Sequence, residues 1–203
     1  SVQVDASAIT EISGNYADIV DLYTSSLPEI LPPIGVSGLG NEAITISDEL
    51  TVTQANILDD LTTGVITATI GSALVSELLD ESTPLLDANE NNAYTISISE
   101  DDAAVSASDL VSTTSLTSNP VNISNVTDIT SSSISDIQDF LIATLAGEFG
   151  DQIGDPDSTI LTSITLSDET IDATALDETI GLIESIYGDL TTQIKLASEA
   201  TIN

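Results

Sequence analysis

The stretch Ile44-Thr45-Ile46-Ser47-Asp48-Glu49 decides how this chain is read, because it comes back. It returns as Ile164-Thr165-Leu166-Ser167-Asp168-Glu169, and Ile96-Ser97-Ile98-Ser99-Glu100-Asp101 is a close variant. Looser copies are Val2-Gln3-Val4-Asp5-Ala6-Ser7 and Val121-Asn122-Ile123-Ser124. In each phrase aliphatic residues alternate with polar ones, the period of a half-buried strand, and a polar turn closes it. Val65 to Ile70 and Leu190 to Leu196 add two further strand-like segments.

A helical pattern follows most of these phrases. Leu176, Ile180, Ile183 and Tyr187 share one face of a helix over 174–188; Ile134, Ile137, Leu141 and Leu145 do so over 133–146. Ser106/Asp109, Ser133/Asp136 and Thr174/Asp177 have the spacing of a capping box. Gly64, Gly147 and Gly188 stand just past apolar runs as stop signals. Shorter helices are expected at 15–25, 53–61 and 72–81. The proline-rich Leu27 to Pro33 and the Gly/Pro-rich Gly147 to Ser158 read as long loops.

Strand starts near 2, 44, 65, 96, 121, 164 and 190 are irregularly spaced. The shorter intervals fall within the range of about 20–50 residues found in stacked architectures. Each strand-helix unit is too small to bury its own apolar face, so neighbours must cover one another. The expected fold is therefore α/β: a strand-helix repeat solenoid with a parallel sheet, one repeat-built domain over 1–203. The alternatives are a doubly wound α/β domain, an all-β sandwich and a β-helix. No Gly-rich phosphate loop follows a strand, which speaks against the doubly wound form. With no Met at position 1, the chain is read as a mature or excised piece, a segment of a larger or self-assembling protein.

Charge narrows the function more than any motif. The 203 residues hold 34 Asp and Glu against one cation, Lys195, for a formal net charge of -33. A hydrophobic fraction of 41% still argues for a folded chain, with a core that is aliphatic because only 3% of residues are aromatic. Nucleic acid is excluded as a natural partner, because phosphates are neutralised by Lys and Arg. No apolar stretch approaches the length of a membrane-spanning helix. Without His, Cys or Arg there is no Ser-His-Asp or Cys-His centre, no thiolate or imidazole zinc site and no phosphoryl-transfer clamp. Lys195 is read as a salt-bridge or edge-strand charge. Asn122-Ile123-Ser124 and Asn125-Val126-Thr127 match the acceptor pattern for N-linked sugar, a pattern that arises by chance in a Ser/Thr-rich chain.

Three segments look like the degenerate acidic repeats of very large secreted bacterial proteins. They are Val4 to Thr10, Gly35-Val36-Ser37-Gly38-Leu39-Gly40-Asn41-Glu42-Ala43 running on to Asp48, and Thr51 to Gly64. Such repeats occur in cyanobacterial and other marine surface proteins, often beside hemolysin-type calcium-binding modules. The resemblance covers roughly the first third of the chain. It implies an extracellular or cell-surface structural or adhesive role and carries over no catalytic residue.

Calcium is the expected cofactor, since hard cations take oxygen ligands. The candidate metal ligands are Asp151, Asp155 and Asp157 in one Gly/Pro loop, and Asp87, Asn89 and Asn91 in another. The latter starts like an EF-hand loop but has Asn92 at its sixth position and Ile98 at its twelfth. Glu100, Asp101 and Asp102 form a third cluster. The expected function is that of a non-enzymatic extracellular structural protein, a building block of a surface layer, sheath or filament that associates with itself or with neighbouring repeats. The alternatives are a calcium-dependent adhesin holding a glycan or cell surface, and a phage virion structural protein. A melting series in NaCl and in CaCl2 tests the electrostatic side of this reading. The melting temperature rises with salt as carboxylate repulsion is screened, and calcium acting at concentrations where NaCl is ineffective marks a specific site.

Overall fold

The structure, a computed structural model, describes residues 4–25, 35–86, 92–150, 161–168, 170–187, 193–196 and 201–202. Along the chain these form β1 (Val4–Asp5), β2 (Glu11–Gly14), α1 (Tyr16–Thr24), β3 (Val36–Ser37), β4 (Ala43–Leu50), α2 (Val52–Asp59), β5 (Ile66–Ile70) and α3 (Val75–Leu78). Then come β6 (Ala93–Thr95), a 3-10 turn (Glu100–Asp102), β7 (Ala104–Val105), α4 (Ala107–Thr114), β8 (Asp128–Ser132) and α5 (Ile134–Leu145). The last elements are β9 (Ser163–Leu166), β10 (Thr170–Ile171), α6 (Ala173–Tyr187), β11 (Gln193–Lys195) and β12 (Thr201–Ile202). The protein is α/β, and every described strand pair is parallel.

Two four-stranded sheets, β2-β4-β5-β6 and β7-β8-β9-β11, carry most of the pairing. Strand order follows chain order in both, without the reversal of a doubly wound sheet. Parallel bridges at Ala73–Ile98, Ser97–Asn122 and Val121–Phe149 link segments between the two sheets. A sandwich of antiparallel strands is ruled out for these residues, as is an all-β chain. Alternation sets the faces. In β5, Ile66, Ala68 and Ile70 are buried while Thr67 and Thr69 are exposed, so the sheet is wet on one side and packed on the other. Helices cover the packed side: α1 lies on β4, α2 on β5 and α4 on β8, while α3, α4, α5 and α6 pack in sequence on one another.

The register aligns aliphatic residues across strands. Ile12, Ile44 and Ile66 face one another in succession, as do Val105, Ile129, Ile164 and Ile194. Ile44, Ile66, Ile129 and Ile164 are at most 1% exposed, whereas the end members Ile12 and Ile194 are only half-buried.

Helix starts follow local chemistry. Ser133 and Asp136 form a full capping box on α5, Thr51 and Gln54 on α2, and the Ser106 hydroxyl accepts from the Asp109 N–H on α4. At α6 the cap is Asp172, whose Oδ1 accepts from the N–H groups of Thr174 and Ala175 at 2.9 and 3.1 Å. The expected Thr174/Asp177 start is thus displaced by an acid two residues earlier. The helix expected at 72–81 is a single turn, because Asp80 folds back to accept the N–H groups of Ser82 and Thr83 and Pro84 follows. Leu145, expected on the buried face of α5, is 50% exposed. Eight residues beyond Ile137, it has drifted about 80° around the helix.

The glycines divide in role. Gly147, at φ 79°, closes α5 in a Schellman motif: its N–H reaches the Thr144 carbonyl and the Glu148 N–H reaches that of Ala143. Gly64 is not a helix stop, since α2 has already ended at Asp59. A Cβ there would lie 2.2 Å from the backbone oxygen of Glu42, so Gly64 is what lets two neighbouring turns touch.

The N–H that opens a helix is repeatedly taken by the segment that follows. The Tyr16 N–H donates to Asp48 Oδ2 at 3.2 Å, Val75 to Asp102 Oδ2 at 2.6 Å, Ile134 to Asp168 Oδ2 at 2.7 Å, and Ala107 to the Ser132 hydroxyl at 2.8 Å. Asp48 and Asp168 are the same letter of the recurring phrase. Each acceptor satisfies an otherwise orphaned donor, and the three carboxylates also set negative charge at a helix N-terminus. Asp168→Ala and Asp102→Ala are each expected to cost about 0.5–2 kcal/mol of stability, with Asn at either position recovering part of the loss. Urea titration of the variants checks this.

Candidate functional site

The loops that held the expected metal ligands, Asp151, Asp155 and Asp157 and also Asp87, Asn89 and Asn91, lie outside the described residues. Among the described residues no group of three or more carboxylates could hold a metal ion. The third cluster, Glu100 to Asp102, is a 3-10 turn whose Ser99 hydroxyl accepts from the Asp101 N–H and whose Asp102 carboxylate opens α3. Its local work is capping. The two sugar-acceptor asparagines are engaged as well: Asn122 Oδ1 accepts from the Ser124 N–H, and Asn125 Nδ2 donates to the Ile98 carbonyl at 2.8 Å.

Three polar arrangements escaped the sequence reading. Glu42 is fully buried, its carboxylate folded back onto the N–H groups of Gly40 and Asn41 at 2.9 to 3.2 Å. Asn92, also fully buried, joins Asp59 Oδ1 at 2.9 Å, the Tyr94 hydroxyl at 3.3 Å and the Ile66 N–H at 2.8 Å. Neither has a local sequence signature, because each depends on residues brought together by sheet register or by a turn.

The third arrangement surrounds the lone cation. Asp128, on β8, accepts from the hydroxyls of Thr127, Thr162 and Ser163. Lys195, exposed on β11, donates from Nζ to the Ser163 hydroxyl at 3.0 Å. Among the described residues no ion pair with Lys195 forms. The expected salt bridge is replaced by a hydroxyl relay, while the edge-strand placement holds, since β11 ends its sheet. Hydrogen bonds from Ser163 and Thr127, then Thr162, with the Lys195 charge adding a smaller pull, hold the Asp128 carboxyl below the usual range. A serine beside a lysine invites comparison with a nucleophile and its base. Here the Ser163 hydroxyl is buried and already donates to Asp128, and the lysine is the donor in the contact. The chemistry is that of a tether for the last strand.

A cleft of about 380 Å³ lies at the start of α2, lined in part by Leu50, Thr53, Ile70, Gly71, Glu77 and Asp80. Its acids are in use: Glu77 accepts from the Leu74 N–H, and Asp80 from Ser82 and Thr83. Comparison with known protein families, with curated proteins and with solved structures finds no match to this chain.

The Asp80 carboxyl is lowered to about 2, first by the Ser82 hydroxyl and then by the Thr83 and Ser82 N–H groups. A depressed carboxylate stabilises the fold above its unfolded value near ~4, and that contribution is lost as pH falls through the folded value. The melting-temperature difference between the native chain and Asp80→Ala is therefore expected to be full at pH 6 and to shrink steadily as pH falls from about 4 through about 2. Thermal melts of both proteins across that range check it.

Proposed function

We propose that this chain is a non-enzymatic structural protein, a building block of an extracellular surface layer, sheath or filament, built as a strand-helix solenoid. One observation carries the reading: parallel strands lie in each main sheet in the order of the chain, and helix-opening N–H groups are capped by a later segment. A chain held together by contacts between successive segments has strength along one direction, which suits a load-bearing or space-filling part. The arrangement also supports the reading by what occupies its polar groups. The described carboxylates discussed above are spent on backbone N–H and hydroxyl donors, and the single lysine tethers a strand.

Calcium or another divalent cation screening the anionic surface belongs to the same proposal, as do a surface location and association with further copies or neighbouring repeats. No partner of this kind needs a positively charged groove, which the composition does not supply. Immunogold labelling of intact source material, followed by negative-stain electron microscopy, tests the reading. Label on an external layer or filament is the expected outcome. Label confined to the interior, or to isolated particles without lattice or filament, removes it.

A further inference from the structure

Of the four strands at the sheet ends, β2 and β11 are half-finished versions of the interior. β2 ends one sheet and β11 the other, and among the described residues neither has a partner on its outer side. Ile12 and Ile194 stand at the ends of the aliphatic rows, half-buried where their interior counterparts are at most 1% exposed. The register that relates Ile12 to Ile44 also relates Ile164 to Ile194. Continued by one step, it would set Ile194 of one copy beside Ile12 of the next, with both strands parallel.

Charge complements the fit. Glu11 and Lys195 flank these isoleucines, Glu11 one residue before Ile12 and Lys195 one residue after Ile194, and both are exposed. In the continued register they lie on one face of the sheet as diagonal neighbours, a distance a long side chain spans. The lysine already makes that reach inside the molecule: it is paired in register with Thr165, yet its Nζ bonds to Ser163, two residues earlier. The chain's only cation thus stands on one edge and a carboxylate waits on the matching face of the other.

From this we infer that the β2 edge is a docking surface for the β11 edge of a second copy, a head-to-tail contact with Ile12 and Ile194 at its centre and Glu11 facing Lys195. The inference rests on the building-block reading and gives it an interface. Such a contact is heterologous, so it grows an open chain unless rotation closes it into a ring.

Sedimentation velocity over a concentration series tests it, in ~0.5 M NaCl so that long-range repulsion between the anionic chains is screened. The native chain is expected to form a ladder of oligomers. Glu11→Lys alone and Lys195→Glu alone each weaken association about tenfold, because like charges then meet. Mixing the two single variants restores it, since every junction between unlike copies again joins opposite charges. Circular dichroism and melting of each variant confirm that both fold, and Ile12→Asp abolishes association by placing a charge in the contact. Association unchanged by all three substitutions overturns this interface and leaves the building-block reading to the labelling experiment. A native chain that stays monomeric throughout overturns the interface too, and an external lattice seen by labelling would then be built through another surface.

Discussion

A carboxylate with no cation to pair with must find N–H or O–H donors, or stay in water. With one lysine against 34 acids, this constraint governs where the chain can place its charges. The described structure meets it by spending acids on backbone donors: Asp48, Asp102 and Asp168 on the first N–H of the helix before them, Glu42 on its own turn, Asp80 and Asp172 on the residues just after them. An anion at a helix N-terminus is also favoured by the helix dipole, so the same placement relieves an orphaned donor and uses a field the backbone supplies at no charge cost. Hydroxyls serve where N–H groups do not, as at Asp128.

That constraint couples to the packing. At α1, α3, α4 and α5 the acceptor for the first N–H comes from a later segment, so these helices are fully capped only after that segment has taken its place. Aliphatic rows do the same for apolar surface, since Ile44 is buried only between its neighbours on both sides. Polar and apolar satisfaction therefore run in one direction along the chain, and both are incomplete at an outer strand. Ile12 and Ile194 show the apolar deficit, and Glu11 and Lys195 supply the charge that suits it.

The sequence was legible where a signal is local. Alternation located β4, β5 and β9, and periodicity with Ser-x-x-Asp spacing located α5 within a residue or two. It failed where a competing local bond intervened, as when Asp80 and Pro84 cut the helix expected at 72–81 to one turn. It also failed where the reason for a residue lies on another segment. Gly64 reads as a helix stop but serves a close approach to Glu42. Asp48 and Asp168, at the same position of two strand phrases, read as turn residues, although each accepts from a helix-opening N–H 32 and 34 residues earlier, respectively.

By itself the sequence determined the alternation of strand and helix, the aliphatic core and the absence of His, Cys and Arg chemistry, because these depend on composition and on spacing within a few residues. The expected parallel sheet is there, but only the tertiary structure decided which isoleucines face one another and from which N–H the carboxylates of Asp48, Asp102 and Asp168 accept. Those are relations between residues more than twenty positions apart, fixed by register. Register is set by how neighbouring segments bury one another, which no single segment encodes.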